Sequence, residues 1–104
     1  MPKILSSNTD AEILRELGSR LRSYRLQQNL GIADVARQAG LNRNTILNAE
    51  AGKNPRLGTV VRLLRVYGRL EAFDAFLPPP TISPLQLLRT KGRVRQRARP
   101  RRHG

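Results

Sequence analysis

The chain has 104 residues, with 20 Lys+Arg against 7 Asp+Glu and a formal net charge of +13. Residues 89–104 hold eight of those basic residues and no acid, so residues 1–88 carry only +5. This length supports one folded domain. The absence of Cys excludes disulfides, thiolate zinc sites and Cys nucleophiles, and a lone His at position 103 excludes a His-based triad or a two-His metal site.

No apolar run approaches the ~18 residues of a membrane helix. The start, Met1 to Asn8, lacks the apolar stretch of a signal peptide. The expectation is a soluble, cytoplasmic protein without cofactor or metal, acting on a polyanion. Nucleic acid comes first and an anionic membrane surface second. No nucleophile–base pair and no phosphate-cradling Gly loop appears, so no enzyme is expected.

Residues 1–10 read as a polar lead. Thr9 and Glu12 have the spacing of a capping box, and a helix is predicted from there to about Gln28. Leu14, Leu17, Leu21 and Tyr24 form its apolar stripe, and Gly18 weakens it locally. Asn29-Leu30-Gly31 breaks the pattern. A helix of about eight residues follows, with Ile32, Val35, Ala36 and Ala39 on its apolar face. Gly40 stands where that helix must end, in a conformation glycine adopts without steric cost.

Asn42 is a good N-cap for a third helix, roughly Arg43 to Ala51, with Ile46, Ala49 and Glu50 facing inward. Gly52 ends it, and residues 53–56 form a loop. A fourth helix is predicted from Leu57 to Tyr67, with Leu57, Val60, Leu63, Leu64 and Tyr67 buried, and Gly68 stops it. Residues 70–77 form a short fifth helix. Leu70, Phe73, Phe76 and Leu77 on it read as core or as a dimer surface, joined by Val61 and Val66.

Pro78-Pro79-Pro80 runs extended. Ser83-Pro84 then starts a small apolar helix to about Lys91, and the Arg-rich remainder is expected to be disordered. The predicted organisation is a lead over 1–10, a domain over 11–77, a Pro-rich linker and short helix over 78–91, and a basic tail over 92–104. The fold class is all-α.

The stretch from Ile32 to Ala49 has helix-turn-helix spacing. Ala36 lies where the two helices cross, and Val35, Ala39, Leu41 and Ile46 pin them together. Residues 17–25, 34–41, 45–52, Asn54-Pro55 and 63–68 together resemble the XRE family, the lambda-repressor-like DNA-binding domains of phage and bacterial regulators. The resemblance implies a five-helix domain whose third helix lies in the DNA major groove, usually in a twofold dimer.

Carried over by position, it implies base reading by Arg43, Asn44, Leu47 and Asn48. Asn42, Thr45, Lys53 and Arg56 would meet the DNA backbone, and Arg25 and Glu50 would pair between helices 1 and 3. The chemistry agrees, since Arg pairs bidentately with guanine and Asn with adenine. Plainer readings stay open. Asn42 and Asn44 would only cap, Arg43 would only touch phosphate, Lys53 and Arg56 would form a generic basic loop, and Arg25 and Glu50 would be separate solvated charges.

Two positions depart from the family pattern. Gly31 and Ile32 stand where many members have Ser-Gln, so the side-chain phosphate anchor is lost. Ile32 then packs against the body or meets a partner. Ala49 is smaller than the usual apolar residue, so helix 3 packs more closely or leaves a gap.

The segment from Pro78 to Arg99 resembles, more loosely, the extension of HipB-like antitoxins encoded beside HipA-like kinase toxins. That implies a toxin partner and autoregulation. Arg93, Arg95, Arg97 and Arg99 alternate and, if extended, would track a DNA strand or enter a minor groove. The plainer reading is a solubilising tail. The leading expectation is a homodimeric repressor on an inverted-repeat operator, bacterial or phage and nucleoid-associated. The alternatives are a nonspecific RNA- or DNA-binding protein working through its tail, and a protein-interaction adaptor.

Overall fold

The computed structural model describes residues 1–81 and Leu85. Among them are five helices, α1 (Asp10–Gln27), α2 (Ile32–Ala39), α3 (Arg43–Glu50), α4 (Leu57–Val66) and α5 (Ala72–Phe76), and no strand. The expected all-α, five-helix class holds. No described helix is long and apolar enough to cross a membrane. Of the helix expected to end near Lys91 only Leu85 is described, and Arg93, Arg95, Arg97 and Arg99 lie outside the described residues. The chain divides into two units, Met1–Ala72 and the part from Phe73 onward.

Local chemistry sets the helix ends in the first unit. The Thr9 hydroxyl accepts from the Glu12 N–H at 3.1 Å, and Glu12 accepts from the Thr9 N–H at 2.8 Å. Two of the orphan donors at the start of α1 are thereby satisfied. The backbone bond to Thr9, aided by Asn8, holds the Glu12 carboxyl below the usual carboxylate range. Gly40 ends α2 at φ +65°, and its N–H donates to Ala36 O. Asn42 caps α3, its Oδ1 accepting from the Asn44 N–H at 2.7 Å.

The core is Leu21, Val35, Ala39, Ile46, Ala49, Leu63 and Tyr67, with Ile32, Ala36, Leu41, Leu64 and Val66 packed against it. It joins α1 to α3, α2 to α3 and α4, and α3 to α4. Tyr67 stacks on Tyr24 with ring centroids 6.4 Å apart, and Arg69 lies 5.3 Å from the Tyr24 ring centre. Gln28 donates to Tyr67 O at 3.0 Å, tying the end of α1 to the end of α4.

Two expected stripes are displaced. In α1 the buried residues are Gly18, Leu21 and Arg25, whereas Leu17 is exposed and Leu14 and Tyr24 are half-buried. The cause is the approach of α3. A Cβ at position 18 would lie 2.5 Å from Glu50 O and 2.6 Å from Ala49 O. Only glycine lets the two backbones come this close, so Gly18 is a contact point and not a simple weakness. Ala49, 1% exposed, completes a close joint, the closer packing that its small side chain allows. In α4, Thr59 and Leu63 are buried while Leu57 is exposed and Val60 half-buried. Leu57 starts the helix and extends past the edge of the core.

In the second unit the Phe73 and Phe76 rings meet edge to face at 5.7 Å. The helix, Ala72–Phe76, starts two residues later and ends one residue earlier than the expected 70–77. Phe73 is half-buried, and Phe76 and Leu77 are exposed.

Candidate nucleic-acid interface

The geometry of α3 divides its eight residues into two faces. Ile46 and Ala49 are buried and Glu50 turns inward, while Arg43, Asn44, Leu47 and Asn48 are exposed and Thr45 is half-buried. Positions 43, 44, 47 and 48 lie one turn apart in pairs, so they share one face. Leu47 presents its side chain to solvent at 46% exposure, which has no packing explanation within this unit.

The inner face is fixed by Arg25. Its Nε donates to Glu50 Oε2 at 2.7 Å and its Nη2 to Glu50 Oε1 at 3.0 Å. The pair is bidentate and nearly dry, with side chains 10% and 7% exposed. Nη1 donates further to Leu30 O at 3.0 Å, so the same guanidinium holds the α1–α2 connection. Hydrogen bonding to Glu50 raises the Arg25 pKa above its ordinary value, against the opposing effect of burial. Arg25 is therefore charged at any working pH, and α3 is set against α1 by charge as well as packing.

The ends of α3 carry the remaining polar groups. Asn42 commits its Oδ1 to the cap, which leaves its side-chain N–H groups for another partner. Lys53 and Arg56 are exposed in the loop between α3 and α4. Arg56 is also the N-cap residue of α4, without a side-chain capping bond. The positive end of that helix adds to the two cations.

The start of α2 has a different character. Ile32 is half-buried and packs on the core, so of the two roles open to it the structure selects packing. Gly31 has no side-chain cap to offer, and Asp34 supplies the missing acceptor by taking the Gly31 N–H at 2.9 Å. Its other oxygen accepts from Arg37 at 2.9 Å. The Gly31 bond, then Arg37, hold the Asp34 carboxyl below its usual range. Sequence reasoning missed Asp34, although an acid at the third position of a helix that opens on glycine is a readable signal.

Among the described residues no group of His, Cys, Asp and Glu could hold a metal ion. What the arrangement offers is a rigidly backed helix with an exposed polar face and flanking cations. That is the class of small helical domain that presents one helix to a DNA groove. Residues 16–74, more than half of the chain, match the family model described as a helix-turn-helix domain, and the chain belongs to that family, in its XRE/Cro-like type. Membership points to a DNA-binding regulator. No curated protein matches the chain.

Proposed function

We propose that the protein is a transcriptional repressor that binds double-stranded DNA sequence-specifically as a homodimer. Arg43, Asn44, Leu47 and Asn48 read bases in the major groove, Arg43 and the asparagines through base edges and Leu47 against a thymine methyl. Asn42, Thr45, Lys53 and Arg56 meet phosphates, which fix register without reading sequence. Two copies place their α3 helices on half-sites roughly 10 bp apart in an inverted repeat. Repression follows from occlusion of a promoter that overlaps the operator.

The observation that carries this reading is the division of α3. One face is locked by Arg25, Gly18 and the core. The other leaves four groups suited to a DNA groove exposed or unpaired among the described residues. Phe76 and Leu77, both exposed, are the apolar groups we assign to the dimer contact. The antitoxin reading rests on the segment from Pro78 to Arg99, of which the structure describes residues 78–81 and Leu85.

The test is selection from random duplex DNA with the full chain. Enrichment of an inverted repeat is expected. A protein that retains all sequences equally, with binding that collapses as salt rises, would instead be the nonspecific polyanion binder.

A further inference from the structure

The turn between α2 and α3 is held from outside by Arg62 of α4. Its Nη1 donates to Ala39 O at 3.1 Å and to Gly40 O at 3.3 Å. The last carbonyls of a helix have no partner within it. At the end of α2, the Gly40 and Leu41 N–H groups both donate to Ala36 O, and the carbonyls of Ala39 and Gly40 meet Arg62. A cation there is also favoured by the helix dipole.

The base of Arg62 is fixed by its neighbour Leu63, which is fully buried. The tip of Arg62 lies 3.2 Å from where a Cβ at Gly40 would stand, so glycine also leaves the space the guanidinium occupies. From Gly40, only Leu41 and Asn42 intervene before Arg43.

We infer that Arg62 is a positioning residue for the DNA-reading helix, setting the point from which α3 departs while Arg25 holds its far end at Glu50. The inference rests on the DNA-reading role proposed above. Two arginines of the body thus bond within the protein, the buried Arg25 at the last residue of α3 and the exposed Arg62 at the end of α2, just before α3 begins. A guanidinium suits this place because a single nitrogen bonds both carbonyls and further donors remain.

The test uses the full-length protein with Arg62→Met, which keeps the stem and removes the donors, and Arg62→Lys, which restores a charged donor. Binding is measured well below the unfolding temperature, on the duplex selected by wild type and on a scrambled duplex, across a salt series. For Arg62→Met we expect affinity for the selected duplex to fall about five- to tenfold, as loss of an ordinary net hydrogen-bond contribution would give. Affinity for the scrambled duplex and the salt slope stay as in wild type, and Lys recovers part of the loss.

A loss on both duplexes with a slope smaller by about one unit would make Arg62 a phosphate contact and overturn the inference. So would unchanged affinity on both. Hydrogen exchange on the DNA-free protein separates this inference from the proposed function. Gly40 and Leu41 amides should lose protection in Arg62→Met whether or not wild type prefers any sequence. Unchanged protection there overturns the anchor, whereas a wild type without sequence preference overturns only the DNA-reading role.

Discussion

The two short helices of the motif are held in opposite ways. Both α2 and α3 have eight residues. The ion pair of α3 is buried, bidentate and made with another helix. The ion pair of α2, Asp34 with Arg37, is internal to the helix and lies in solvent, with side chains 43% and 71% exposed. A surface pair contributes little, because water screens it and two long side chains must be ordered. A buried pair is different: each partner alone would be an uncompensated charge, so neither can be removed cheaply. Charge at α2 tunes a helix end, whereas charge at α3 fixes an orientation between helices.

The largest effect should come from breaking the buried pair. Glu50→Ala or Arg25→Ala is expected to cost about 3–5 kcal/mol of folding stability, measured by urea unfolding. Arg37→Ala at α2 should change stability by less than about 1 kcal/mol. Charge reversal at either Arg25 or Glu50 should destabilise, and the double swap should recover part of the loss. Additive losses would deny the direct pairing and remove the contrast between the helices.

The second effect concerns the free face of α3. Arg43→Ala, Asn44→Ala and Asn48→Ala should each leave the fold intact and relax preference at one or two base positions per half-site. The discrimination lost should be about 1–3 kcal/mol for a bidentate contact. Competition binding against single-base operator variants reads this directly. If all three keep wild-type preferences, another surface does the reading.

A smaller effect sharpens what burial without a partner means. The Tyr67 hydroxyl is buried and has no hydrogen-bond partner among the described residues. Burial first, and the Glu50 charge second, push its pKa up to about 12 from 10.0, with Arg25 opposing. Because the neutral phenol is the form the fold holds, stability is unaffected below pH 10 and falls as pH rises from 10 towards 12. Tyr67→Phe should remove that alkaline loss. At neutral pH it should be neutral to stabilising, by up to about 1 kcal/mol, since an unpaired buried hydroxyl carries a desolvation cost. Destabilisation at neutral pH would show that the hydroxyl has a partner.

Helix ends were readable in the sequence because they are local. Thr9 with Glu12, Gly40, and Asn42 each act within four residues, and the structure shows the same ends. The inward and outward faces of α3 were readable for the same reason. The buried face of α1 was not. Apolar periodicity places Leu17 inside and ignores Gly18 and Arg25, because it cannot register a backbone approach or a charge neutralised by a residue 25 positions away. The partnership of Arg25 with Glu50 came from the family resemblance, not from any pattern within α1. Arg62 gave no signal at all, since its acceptors are backbone carbonyls 22 and 23 residues earlier.

The smallest expected effect lies at the helix starts. Thr9→Ala should cost about 1 kcal/mol at neutral pH, as loss of an N-cap commonly does. Asp34→Ala should cost less, because Asp34 holds one exposed backbone donor and an exposed arginine. Its dependence on pH is the more telling measurement. The folded state holds the Asp34 pKa below its ordinary 3.8, so the carboxylate stabilises the fold fully above that value. The contribution disappears as pH falls through the lowered pKa. Wild type and Asp34→Ala should therefore differ in thermal midpoint at neutral pH and converge in acid. The Arg37→Ala variant should show a smaller version of the same convergence, because the bond from Gly31 N–H outweighs Arg37 in lowering that pKa. A gap that persists into acid would mean that the carboxyl acts through its shape as an acceptor and not through its charge.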